Sequence, residues 1–435
     1  MMTKRTDENP FGIEPANIKQ MRISDEGLTR RLKAYEVYRQ IPMPTKKDRA
    51  WRKTIIDEFN ANDFIFQSLT GEGSNRKIEV EKADDEIIIH YYPHGVENDI
   101  QNELEKSGLF ICKLMEAEEK HPRQLAGITG KIVLPQESKF SALTQMLDTD
   151  GLFILIPKGR KVEIPIHLII GGDQSGKIST FHLIILLEED SAATFLTEWN
   201  IAKKDEKRLF TCVVEIRAEK NAHLEMTEMQ TWPHQQWTFL HERAELQENS
   251  QLDWNIYADG GKYSRTYLGV NLLGAQTQAN ITGLCLNANP TQLDFDTFQL
   301  HRAEGSRSDL LFKSAFANHS RSVWTGMIRV EKDALKTDAY QSNRSLILCG
   351  DPLVESIPGL EILTDDVRCS HGVSAGEIDA EQLFYLASRG IPEKEAKRVI
   401  AQGFLNSGLE RVGNVKIREK IEKKIQSGLE GLFCE

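Results

Sequence analysis

The sequence predicts a mainly β protein, a long stack of short strands held between helical N- and C-terminal segments. Three observations carry this expectation. Between residues 153 and 348 the chain is a succession of short β-like runs bounded by turn residues. From Trp237 onward these runs begin about 14 residues apart for some seven strands, with no amphipathic helix between them. On either side the apolar residues recur at helical spacing instead.

The first region, about residues 1–125, reads as mainly helical and polar. Ser24 is placed to cap a helix opening at Asp25, along which Leu28, Leu32, Tyr35 and Tyr38 share a face; Pro42 and Pro44 stop it. A short strand over 86–92 and a helix over 114–120 follow.

The second region, about 126–362, holds the strands. Runs are expected at 153–156, 181–187, 194–199, 211–218, 223–229, 237–246, 252–257, 264–270, 279–286, 293–300, 308–316, 323–330 and 344–348. In Leu293–Phe298 apolar and polar residues alternate, so one face is buried and Asp294 and Asp296 are expected on the solvent face. The monotony suits a stacked solenoid or a large sandwich.

The third region, about 363–435, returns to helix. Asp379 and Gln382 resemble a capping box, Leu383, Phe384, Leu386 and Ala387 supply an apolar face, and Gly390 fits the C-terminal stop. Pro392 opens a second helix bearing Ala396, Val399, Ile400 and Phe404. In the last helix Ile417, Ile421, Ile425 and Leu429 form a stripe among charges. That stripe packs within the domain or docks a partner, and packing is the commoner outcome.

Composition narrows the function. The 435 residues suffice for two or three domains, and 40% hydrophobic with 27% charged residues is ordinary globular usage. A net charge of −11 argues against nucleic-acid binding and against docking on an anionic membrane. No run approaches the ~18 apolar residues of a membrane span. The first ten residues resemble neither a secretory signal nor a transit peptide, so a cytoplasmic location is expected. Cys112, Cys212, Cys285, Cys349, Cys369 and Cys434 are widely separated, without a C-x-x-C pair. They are expected to be unbridged, mostly as small buried hydrophobes.

The segment Thr364–Gly372 is the most suggestive for chemistry. If extended, it projects Cys369 and His371 from one face, a thiol and an imidazole suited to iron or zinc. Two ligands do not close a site, so other residues or another subunit must complete it, and a buried cysteine beside a turn histidine is the commoner reading. Asp294 and Asp296 could be paired carboxylates of a polysaccharide-active enzyme, although solvent-facing acids are commoner. Trp232 and Trp237 read as a sugar platform or as two packed indoles at a turn. Gly260-Gly261-Lys262 reads as a hairpin turn, and His241-Glu242 lacks the second histidine of a metalloprotease helix. No self-contained active site emerges, and the chain is not expected to be an enzyme.

The stretch Lys336–Asn343, then Asp351-Pro352, Pro358–Ile362, Asp365–Gly372 and Leu383–Ile391, resembles the SufB/SufD family of iron–sulfur cluster assembly proteins, with the motifs in family order. Pro42-Met43-Pro44, Trp51-Arg52, Asp296-Thr297 and His301 extend the similarity. The chain looks SufD-like, because SufB-like proteins carry a scaffold cysteine where Asn343 stands and a glutamate where His371 stands. The resemblance implies a right-handed parallel β-helix flanked by α-helical N- and C-terminal domains. It implies pairing with a SufB-type subunit through the β-helices, and docking of a SufC-type ATPase on the C-terminal helices, in the region of Leu383, Phe384, Tyr385 and Arg389. His371, with Cys369 close by, would face a SufB-type cysteine and hold nascent iron and sulfide. The implied cluster is transient, with none bound stably by the isolated chain, and its sulfur comes from a cysteine desulfurase and a carrier protein. A homodimer of the isolated chain is compatible with this.

Overall fold

A computed structural model describes residues 6–21, 24–64, 77–82, 86–92, 104, 108–148, 150–171, 178–200, 206–288 and 290–432; Cys434 lies outside them. Two sheets dominate, one of ten strands and one of nine, and the chain alternates between them. Every strand from Ile166–Gly171 to Asp338–Gly350 pairs in parallel with the strand one coil later. Gln251 pairs with Gln278, Gln278 with Arg307, Arg307 with Asp338 and Asp338 with Arg368, so a coil takes about 30 residues. The fold is a parallel β-solenoid, and two of the expected 14-residue units make one coil.

The lumen explains the alternation. In-register stacking places like positions above one another, and side chains at every second residue point inward. One such column runs Phe195, Met226, Trp254, Ile281, Leu310, Gln341 and His371. Its apolar members belong to a core shared with Leu183, Val214, Leu240, Leu268 and Phe295 from the facing sheet. Each fully buried residue of this kind contributes about 1.5–3 kcal/mol, and the stack repeats that gain coil after coil.

One corner of the solenoid is built from left-handed residues. Gly159, Asp190, Asn221, Asn249, Gln276, Gly305 and Lys336 all have φ between 57° and 71°. The N–H of each reaches a carbonyl of the next coil, as in Asn221 to Glu248 at 3.0 Å and Asn249 to Ala275 at 2.8 Å. Asparagine and aspartate tolerate this conformation better than other side chains. They also form a ladder, Asn249 Nδ2 to Asn221 Oδ1 at 2.8 Å and Asn221 Nδ2 to Asp190 Oδ1 at 2.7 Å. The following Ser191, Ser250, Thr277 and Thr337 return their hydroxyls to the carbonyl three residues back.

Each outer sheet face carries a shell. The N-terminal segment lays Trp51, Phe59 and Phe140 over Trp237, Phe239 and Tyr263, with Phe140 and Phe239 stacked at 3.5 Å. Ser24 caps the helix Asp25–Gln40 through Gly27 N–H at 3.1 Å. Beneath that helix lies a buried charge network. His182 Nδ1 faces Asp148 at 3.0 Å and Nε2 faces Glu215 at 2.9 Å, while Arg30 and Arg31 pair with Asp148 and Glu118. Burial disfavours the imidazolium, but its hydrogen bonds to the two carboxylates and their charge prevail and raise its pKa. On the other sheet, the helices Glu393–Leu409 and Val415–Leu432 pack Leu405, Ile417, Ile421, Ile425 and Leu429 against Met229, Tyr257, Leu284 and Leu286. The last helix therefore spends its stripe on the solenoid.

Four expectations change. Gly260 and Gly261 turn a corner between sheets rather than a hairpin, both with positive φ, and a Cβ on Gly260 would lie 2.3 Å from the Trp232 carbonyl. Asp294 is only 2% exposed, because the N-terminal shell covers that face, and Tyr263 Oη donates to it at 2.9 Å. Trp232 belongs to the lumen core and Trp237 to the N-terminal shell, so the two indoles lie on opposite sides of the sheet wall. The strands continue beyond residue 362, through Arg368–Glu377, before the helix Ala380–Ser388 begins.

Candidate functional site at the open end of the solenoid

The two ends of the stack differ. At the start, antiparallel strands Lys77–Lys82 and Phe110–Lys113 close the sheets. At the other end the final strands, Leu353–Ile362 in one sheet and Arg368–Glu377 in the other, are outermost. Their backbone donors and acceptors form a ready template for another strand.

Register fixes what faces the mouth. Cys369, His371 and Val373 pair with Ala339, Gln341 and Asn343, while Leu360 and Ile362 pair with Ile328 and Val330. All these positions continue the inward faces of the coils below, with no coil above them. Val373 is 46% exposed, and Leu360 and Ile362 are partly bare. His371 is exposed within this apolar rim. Cys369 is half-buried against Ile328, Val330, Ala334 and Ala339, and burial pushes its thiol pKa up. Cys369 is therefore a neutral thiol in an apolar niche, and His371 is the accessible group of the pair.

Beneath the mouth the lumen is polar. Asn343 Nδ2 donates to Ser356 Oγ at 2.8 Å, and Gln341 Nε2 donates to the carbonyls of Gly326 at 3.3 Å and Gly359 at 3.1 Å. Among the described residues, no group of three or more His, Cys, Asp or Glu is placed to hold a metal. One imidazole and one half-buried thiol cannot enclose an iron–sulfur unit, so further ligands must come from outside the chain.

Only two residues separate the strand of His371 from the helix Ala380–Ser388, which Asp379 caps through Glu381 N–H at 2.7 Å. That helix buries none of its residues. Phe384 is 76% and Tyr385 58% exposed, and the Arg389 guanidinium lies 5.4 Å from the Tyr385 ring centre. Leu383 is half-buried.

A buried acidic pair escaped the sequence reading. Glu228 and Glu242 enter the lumen from opposite sheets, and Glu228 accepts from Trp254 Nε1 at 2.8 Å and Trp199 Nε1 at 3.4 Å. Burial raises both carboxyls, and the charge of Glu228 adds to the effect on Glu242. The signal was present, since Glu242 interrupts the apolar column Leu240, Ala244 and Leu246.

The fold is thus a helix-flanked parallel β-solenoid that exposes an imidazole at its outermost strand, and among the described residues no closed metal centre accompanies it. The family model "SUF system FeS cluster assembly, SufBD core domain" matches residues 169–404, and "SufBD protein N-terminal region" matches 19–168. The chain belongs to the SufBD family of iron–sulfur cluster assembly proteins. It is similar to an iron–sulfur cluster assembly SufBD family protein of Staphylococcus haemolyticus, 23% identical over 395 residues that cover 86% of this chain and 83% of that one. Counterparts in Staphylococcus epidermidis and Staphylococcus aureus match with the same identity and coverage.

Proposed function

We propose that the chain is a non-catalytic, SufD-like scaffold subunit. It would pair end to end with a SufB-type subunit, dock a SufC-type ATPase on the helix Ala380–Ser388, and offer His371 to a transient iron–sulfur cluster at the subunit boundary. The observation that carries this reading is the exposed imidazole on the inward face of an uncapped solenoid end. A second solenoid stacked there would cover the apolar rim, pair the free strand edges and bring its own ligands to within reach of His371. The iron and sulfide are cargo, with sulfur delivered from a cysteine desulfurase through a carrier. No helix among the described residues is long and apolar enough to cross a membrane, in keeping with assembly in the cytoplasm.

The competing reading is a purely structural brace that regulates the ATPase. The burial of Cys369 favours it, since only one accessible ligand remains. A polysaccharide-active enzyme is disfavoured, because the N-terminal shell seals Asp294 from any substrate. Co-expression with the SufB-type and SufC-type partners, followed by anaerobic iron and sulfide analysis, separates the first two readings. His371→Ala should leave the complex intact and abolish cluster formation; normal loading of that variant would leave only the brace.

A further inference from the structure

Gln341 occupies the position directly below His371 in the inward column. It is fully buried, and its Nε2 is committed to two carbonyls of the facing sheet, Gly326 at 3.3 Å and Gly359 at 3.1 Å. The absence of a side chain at Gly326 makes room for it: a Cβ there would lie 2.5 Å from Gln341 Oε1 and 2.3 Å from the Trp324 ring. Exchanging the amide ends would set Oε1 against two carbonyl oxygens, so the orientation is fixed by the network.

This leaves Gln341 Oε1 as a buried acceptor with no hydrogen-bond partner. Two donors are candidates for it. One is Trp324 Nε1, itself buried and without a partner. The other is the imidazole of His371, the next residue in the same column, exposed and able to turn. A metal-ligating histidine ordinarily donates its second ring N–H to a carbonyl or carboxylate, which sets its tautomer and aims the first nitrogen.

We propose that Gln341 is the positioning residue of His371: its Oε1 accepts one imidazole N–H, so that the other ring nitrogen faces out of the mouth with its lone pair free. The proposal rests on the reading of His371 as a ligand and adds what aims it. A neutral amide suits the task. It fixes the tautomer without placing a negative charge beside the cluster site.

The test is the ring tautomer of His371 in the full-length chain, labelled with 15N-histidine and read by two-bond 15N–1H correlation. The wild-type tautomer ratio should depart from that of free histidine by roughly fivefold or more, the fold-change that one neutral hydrogen bond supplies. Gln341→Met should bring the ratio to that of free histidine, with the signals of the buried His241 and His301 unchanged as a control for folding. Trp324→Phe should leave His371 as it is. Should Gln341→Met not fold, Gln341→Asn keeps an amide but withdraws its oxygen by one methylene, so the ratio should fall toward that of free histidine. A free-histidine ratio in the wild type, or a ratio indifferent to both Gln341 substitutions, overturns the proposal. The outcome is independent of cluster loading. If His371→Ala still assembles clusters, the ligand role falls while the hydrogen bond stands; the reverse result removes the bond and leaves the ligand.

Discussion

Glu242 and Glu228 approach each other inside the solenoid from facing sheets, and the charge of Glu228 adds to burial in opposing the ionisation of Glu242. Burial holds both carboxyls above the ordinary glutamate range, so the folded chain binds more protons here than the unfolded chain does. The stabilising contribution is complete below the ordinary glutamate value and declines as pH rises toward the raised values of the pair. We expect thermal stability to fall as pH rises above the ordinary glutamate value, and Glu242→Gln to flatten that fall because an amide does not titrate. At neutral pH the substitution should change stability by no more than about 1–2 kcal/mol. Melting curves of both proteins across pH check this.

His182 should be the costliest single loss beneath the N-terminal shell. It is sealed between Asp148 and Glu215, and Glu215 also accepts from the backbone N–H of Gly130, Ile132 and Val133 at 2.9–3.0 Å. His182→Ala removes the cation between two buried carboxylates, leaving Asp148 to Arg30 and Arg31 and Glu215 to backbone N–H groups alone, and should destabilise by about 3–5 kcal/mol in denaturant titrations. The raised pKa makes the imidazolium's contribution complete below the ordinary histidine value and lost as pH rises through the folded one, so the deficit of the variant should shrink at high pH.

The C-terminal helices should separate folding from docking. Ile421 is buried against the solenoid, and Ile421→Asp should cost about 3–5 kcal/mol or prevent folding. Phe384 projects into solvent, so Phe384→Asp should leave unfolding within about 0.5 kcal/mol of wild type yet remove co-purification of the SufC-type ATPase. Equal melting with retained ATPase binding would show that docking lies elsewhere.

The open mouth makes a parallel prediction. Val373→Asp places a charge on an apolar rim that the isolated chain already leaves exposed. The isolated protein should melt as wild type, whereas affinity for the SufB-type subunit should fall by roughly 100-fold or more, the cost of burying an unpaired charge in an interface. Calorimetric titration of the two subunits reads it.

The strands whose inward columns are apolar were visible as alternation, Leu293 to Phe298 among them. Those at the open end were harder to read. Leu353–Ile362 carries Pro358 and Gly359, and Arg368–Glu377 is polar and glycine-bearing, because neither is covered within this chain. The coil repeat was also legible in principle, at the left-handed corner rather than in the strands: Asp190-Ser191, Asn221-Ala222, Asn249-Ser250 and Gln276-Thr277 recur once per coil. The expectation that Asp294 faces water failed because a segment more than two hundred residues away, around Trp51 and Ile55, folds over its sheet face.

Local pattern thus determined what each short segment becomes: period two makes the strands, period 3.6 makes the terminal helices, and a left-handed asparagine turns the corner. Those preferences act between near neighbours and leave their mark on adjacent residues. Which faces are covered was decided only by the tertiary structure. Whether Glu242 sits in the lumen, Asp294 under a shell or His371 at an open mouth depends on contacts between residues far apart in the chain, and one alternating strand looks the same under water, a helix or a second subunit.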